Sequence, residues 1–243
     1  MIDFSACLLV ETAWLAAHLA DGDVRVVDAR WRGDGTSREL YQQGHLPGAV
    51  HLDWQRDLSW TDGRGVGYLL LRPEPFAAGM EAAGIGNRTR VVAYAETDHS
   101  GAARLWWALR FYGHEQVAVL SGGWTRWVAE GWPVSTEVPQ PPPTRFTPRP
   151  RAHLLALARE VEQALRAADS GVRLVDWTYL PRESLLALAR GAGLEPEQRV
   201  ITLCWLLGTS VHLHHLYKEM HRPRNLRTGK LLLNEHARTY FGN

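Results

Sequence analysis

The chain has only two cysteines, Cys7 and Cys204, among its 243 residues. Two thiols cannot build a disulfide framework, so a reducing cytoplasm is the expected compartment. An excess of one charge is also missing: 27 basic residues face 26 acidic ones, a formal net charge of +1. Such a balance supplies no global field for nucleic acid or an anionic membrane, and any preference for anions must be local. No apolar run approaches the length of a membrane span. The N-terminal MIDFSACLLVETAWLAAHLAD carries Asp3 and Glu11 and lacks the basic start and continuous apolar core of a secretory leader. Neither a nucleic-acid nor a membrane partner is expected.

The hydrophobic share is 45%, ample for one large domain or two modest ones. A repeat favours two. ETAWLAAHLADGDVRVVD (residues 11–28) and AREVEQALRAADSGVRLVD (158–176) each read as an amphipathic helix, an Asp/Gly turn and a β-branched strand ending in aspartate. Each half then offers a second apolar strand, VVAYA at 91–95 and VITLC at 200–204, followed by a small-residue loop and a helical stretch. Alternation of this kind predicts an α/β fold with mainly parallel sheets flanked by helices. STEVPQPPPTRFTPRPR (135–151) cannot continue a helix or fill a ladder and reads as an extended linker. The expected boundaries are an N-terminal domain at 1–136, a linker at 137–151 and a C-terminal domain at 152–243. Asp28 and Ala95 are 67 positions apart, Asp176 and Cys204 only 28, so the second domain is expected to be truncated.

Within the first half, SRELYQQGHLPGAVHLDW (37–54) reads as a short helix, a Pro47-Gly48 turn and a strand. Residues 101–134, GAARLWWALRFYGHEQVAVLSGGWTRWVAEGWPV, read as helix, strand, Gly-Gly turn and helix, with Trp106, Trp107, Trp124 and Trp127 assigned mostly to packing. VVDAR, GHLPGA, WWALR and SGGWTRWVAEGWPV, in this order and ahead of a proline-rich segment, together resemble the two-domain rhodanese family, the thiosulfate and 3-mercaptopyruvate sulfurtransferases. The resemblance covers residues 10–150 and implies two tandem rhodanese-like domains, the first silent and the second carrying a nucleophilic cysteine at the end of its central strand. Ala95 stands at that place in the first half and Cys204 in the second.

A cysteine at a strand end, ahead of a tight loop and a helix starting near Thr209, meets backbone N–H groups and the positive end of a helix dipole, which favour the thiolate. The alternative reading of Cys204 is a buried structural cysteine. The resemblance implies that backbone amides of Trp205, Leu206, Leu207, Gly208 and Thr209 bind the substrate anion, that Arg182 clamps it, and that Asp176 supports the loop. Arg182 also fits an exposed helix start, and Trp205 an apolar cover. Thiosulfate-using relatives place basic residues after the cysteine; here the loop is apolar, which makes a dianion expensive to desolvate. A second family arginine, two places after the aspartate, is replaced by Thr178. A phosphatase on the same fold needs an arginine six residues after the cysteine, where Ser210 stands.

His212, His214, His215 and His221 lack the i, i+4 pairing and the accompanying carboxylates that zinc sites favour, so no metal is expected. No organic cofactor is implied. The expected partners are a small anionic sulfur donor and a thiol or cyanide acceptor. The competing reading, from the shortened second half and altered loop, is a catalytically inactive rhodanese-like binding or regulatory protein.

Overall fold

The computed structural model describes Phe4 and residues 9–61, 69–96, 100–155, 172–176 and 199–203, with the last two segments defined by their backbone. The chain divides into two compact units, Met1–Trp60 with Leu70–Ala152, and Thr61–Leu69 with His153–Asn243.

The strands of the first part of the chain are β1 (Leu9–Val10), β2 (Val24–Asp28), β3 (Val50–His51), β4 (Ser59–Trp60), β5 (Leu69–Leu70), β6 (Arg90–Tyr94) and β7 (Val117–Leu120). β4 and β5 form a ribbon of their own; the other five make one sheet of order β1-β7-β6-β2-β3, parallel at every pair. VRVVD, RVVAY and VAVL are apolar almost throughout rather than alternating, the pattern of a parallel sheet covered on both faces. All four residues of β7 and the last four of β6 are buried accordingly.

The helices are α1 (Thr12–His18), α2 (Ser37–Gln43), α3 (Trp54–Asp57), α4 (Pro73–Ala82), α5 (Ser100–Phe111) and α6 (Gly123–Ala129). Local chemistry sets several of their ends. The Asp53 carboxylate accepts from the backbone N–H groups of Gln55 and Arg56 and caps α3. Pro73 opens α4, where its missing N–H has no partner to lose, and Gly84, at φ +70°, turns the chain away after it. Between α2 and β3, Gly48 takes φ +72°, the conformation a Pro-Gly turn requires. Among the described residues no helix is long and apolar enough to cross a membrane.

The proline-rich segment is extended, with neither helix nor ladder, and is laid along the first unit. Backbone hydrogen bonds anchor it at several points. His45 and Ser135 exchange backbone hydrogen bonds of 2.9 and 2.8 Å, Asn87 N–H donates to Arg145 O at 3.2 Å, and Arg149 and Arg151 N–H donate to Tyr112 O and Phe111 O at 2.8 and 2.7 Å. Phe146 is 3% exposed and meets Phe76 edge-on at 5.7 Å. A Cβ on Gly86 would stand 2.1 Å from Thr144 Oγ1, so the close approach needs a glycine there.

In the second unit, β8 (Val172–Asp176) and β9 (Arg199–Leu203) pair in parallel. Their register runs from Val172↔Arg199 to Asp176↔Leu203, and that of β2 and β6 from Val24↔Arg90 to Asp28↔Tyr94. In both pairs the first strand ends on an aspartate opposite the fifth residue of its neighbour.

Candidate active site

The order of the five-stranded sheet locates a site before any side chain is considered. From β2 the chain moves to β3 on one side, and from β6 to β7 on the other, so β2 and β6 are neighbours whose connections diverge. In open parallel sheets a ligand crevice forms beyond the carboxyl ends of such strands. Those ends are Asp28 and Tyr94, and in the second unit the matching ends are Asp176 and Leu203.

In the first unit this place is filled. Asp28 is fully buried at the end of β2, and its carboxylate accepts from Arg30 N–H at 2.9 Å, Arg30 Nε at 3.0 Å and Arg30 Nη2 at 2.6 Å. Tyr94 Oη donates to it as well, at 2.6 Å, while accepting from Leu46 N–H at 3.2 Å. Burial and then the Asp28 charge push the Tyr94 phenol well above its ordinary pKa, so it stays protonated and remains a donor. Burial works against the Arg30 charge, but hydrogen bonds and attraction from Asp28 outweigh it and raise its pKa. The same guanidinium donates to Gly44 O at 2.6 Å and lies 4.1 Å from the Trp124 ring, tying the turn before β3 and the start of α6 to the end of β2.

Ala95, one residue past β6, is 2% exposed, and its carbonyl accepts from Trp124 N–H at 2.8 Å. A Cβ on Gly123 would lie 2.3 Å from that carbonyl, and one on Gly101 would lie 2.0 Å from Ala29 O, so both helices press directly onto the strand ends. The Ala95 methyl and the hydrogen-bonded Asp28 carboxylate stand together at this end of the first sheet.

Of the residues the sequence singled out, Asp176 is placed, as the last residue of β8 with its Cα opposite that of Leu203. Cys204 is the next residue of the chain, and it, Arg182, Trp205, Leu206, Leu207, Gly208 and Thr209 lie outside the described residues, as do His212, His214, His215 and His221. Among the described residues no group of three or more His, Cys, Asp or Glu side chains is placed to hold a metal. Arg30, Tyr94 and Trp124 were not foreseen as a cluster around Asp28. The one available signal was an arginine two residues after a strand-terminal aspartate.

Residues 11–130 match the family described as Rhodanese-like domain. The chain is 36% identical over 171 residues to the sulfur carrier protein TtuD of Thermus thermophilus, covering 70% of this chain and 57% of that one. It is 36% identical over 206 residues to the thiosulfate sulfurtransferase of Bos taurus, covering 80% and 64%. It thus spans roughly three fifths of the length of these relatives. The solved structure of SseA from Escherichia coli, a 3-mercaptopyruvate sulfotransferase, superposes with a TM-score of 0.65 at 24% identity, over 83% of this chain and 76% of that one. The mainly parallel sheet flanked by helices is therefore the fold of that structure.

Proposed function

We propose that this chain, whose residues 11–130 match the family described as Rhodanese-like domain, is a sulfurtransferase that carries sulfane sulfur on Cys204. One observation carries the reading: β8 and β9 pair in the register of β2 and β6, so the residue following the second strand is Ala95 in one unit and Cys204 in the other. The shared register supports two tandem rhodanese-like domains, the first silent and the second reactive. The names of the relatives, a sulfur carrier and a thiosulfate sulfurtransferase, support the chemistry.

The Cys204 thiolate attacks the outer sulfur of thiosulfate or a related donor. The donor S–S bond breaks, its electron pair leaves with sulfite, and Cys204 is left as a persulfide anion. Cyanide or an acceptor thiolate then takes the terminal sulfur, and the electron pair of that S–S bond restores the thiolate. The amides from Trp205 to Thr209 cradle the anion, Arg182 clamps the donor and Asp176 supports the loop. Each half-reaction is a nucleophilic displacement at sulfur that needs neither a metal nor an organic cofactor. A chain with two cysteines suits a reducing cytoplasm, where thiol acceptors are abundant.

Thiocyanate formation from thiosulfate and cyanide should be measurable for the wild type and fall to the uncatalysed background in Cys204→Ser. Intact-mass analysis after donor exposure should show one added sulfur atom, mapped to Cys204. Equal rates in the two proteins would remove Cys204 as carrier.

A further inference from the structure

Two histidines of the first unit are buried beside the proline-rich segment, one near each end of it, and they differ in what their rings meet. His45, fully buried, has a carbonyl oxygen at each ring nitrogen: Tyr41 O at 2.7 Å from Nδ1 and Glu137 O at 3.0 Å from Nε2. A carbonyl can only accept, so a proton added to this ring finds a partner waiting. His114, in the connection between α5 and β7, is 4% exposed, and among the described residues neither of its ring nitrogens has a hydrogen-bond partner. A proton added there meets nothing. The end of the segment lies against this ring, whose centroid is 5.9 Å from that of Phe146. Arg149 and Arg151 N–H donate to Tyr112 O and Phe111 O, just ahead of the histidine, and a Cβ on Gly113 would stand 3.0 Å from Arg149 O, so the two stretches of chain touch.

We propose that His114 is a proton-operated catch for the end of the proline-rich segment: the neutral ring is sealed beneath residues 146–151, and protonation releases that stretch from the first unit while the 135–137 end stays bound. The inference stands on the first unit alone and is independent of which residue carries sulfur. The charged groups on the surrounding elements do not offer the ring a counter-ion. Glu115 is paired with Arg151 at 2.7 Å, and Glu81 on α4 accepts from Phe146 N–H at 3.0 Å. Arg110 lies 5.2 Å from the Trp106 ring, Arg88, Arg145 and Arg149 are exposed cations, and the Tyr112 phenol, pushed up to about 12 by burial, is neutral. Burial holds the His114 imidazole below its ordinary pKa, against weaker attraction from the backbone at Gln116 and Thr89. A charged ring is solvated only when the segment lifts, so proton binding favours the lifted form.

The lifted state takes up its proton at the ordinary histidine value of about 6.5, the closed state only at lower pH. Above that value both states are neutral and closure is at full strength. As pH falls through it the lifted state gains a proton, and closure weakens by about tenfold per pH unit until the sealed ring itself titrates. Amide exchange of the full chain, followed by NMR, reads this directly. Protection factors at Arg149 and Arg151 should fall on the order of tenfold between about pH 7.5 and 5.5, while that of Ser135, whose N–H donates to His45 O, stays level. His114→Leu should abolish the fall. Level protection of Arg149 and Arg151 in the wild type overturns the proposal, as does an equal fall at Ser135 or a fall that persists in His114→Leu. Should that variant not fold, the ring of the wild type decides: a His114 imidazole that titrates near pH 6.5 while Arg149 stays protected carries its charge in place, and the catch does not exist.

Discussion

At the residue scale the first unit turns on one ion pair. Asp28 and Arg30 approach to 2.6 Å with side chains 0% and 3% exposed. Removing two charges from water costs several kcal/mol each, and the pair is tolerable only because nearly every lone pair and proton is engaged. Truncating one member leaves the other buried and uncompensated. Arg30→Met should therefore cost about 3–5 kcal/mol of unfolding free energy in urea titration. A double variant, Asp28→Leu with Arg30→Met, should recover most of that loss, because the uncompensated carboxylate is gone. The VVDAR motif made this aspartate and arginine visible in the sequence, but not what they do. Tyr94, Gly44 and Trp124 reach the pair from 66, 14 and 94 positions away along the chain from the member each one contacts, Asp28 for Tyr94 and Arg30 for the other two. No local spacing encodes such meetings, because they follow from sheet order and helix docking rather than from periodicity.

Among the elements, those with a strong local signal were legible. VRVVD, VVAYA and VAVL are apolar runs of strand length, and the Pro47-Gly48 and Gly122-Gly123 turns follow from backbone freedom at positive φ. β1, β3, β4 and β5 have two residues each, too few for any period to register. Strand register was not legible either, although the matching strand motifs VVAYA and VITLC already put Ala95 and Cys204 at equivalent positions. Gly101 shows how docking overrides propensity. In a free helix, alanine is favoured over glycine by about 1 kcal/mol. At Gly101 the added methyl would stand 2.0 Å from Ala29 O, a backbone atom at the end of β2 that cannot step aside cheaply. Gly101→Ala should therefore destabilise the protein by roughly 1–3 kcal/mol, against the sign that helix propensity gives. Urea unfolding monitored by tryptophan fluorescence reads the sign directly.

For the whole molecule, the proline-rich segment separates what composition dictates from what packing decides. Prolines fix φ and remove donors, so the absence of helix and ladder over residues 137–151 was legible. Where such a chain lies depends on the few apolar and hydrogen-bonding groups between the prolines. Phe146 fills a pocket against Phe76 and lies near His114, while the backbone N–H groups of Phe146 and Thr147 donate to Glu81 and Asn87. The segment thus closes the first unit's core before the chain continues into the second. If it serves only as a tether, its side chains should be interchangeable; if it is part of the core, the buried and exposed ones should differ sharply. Phe146→Ala should cost about 3–5 kcal/mol, the usual loss for a buried phenylalanine. Val138, 63% exposed on the same segment, should accept aspartate with a change within about 0.5 kcal/mol. Equal, small effects of both substitutions on urea unfolding would return the segment to the role of a tether. A large loss at Phe146 alone means that a first domain cut before residue 137 lacks part of its own core, and that a stable fragment must run through Arg151.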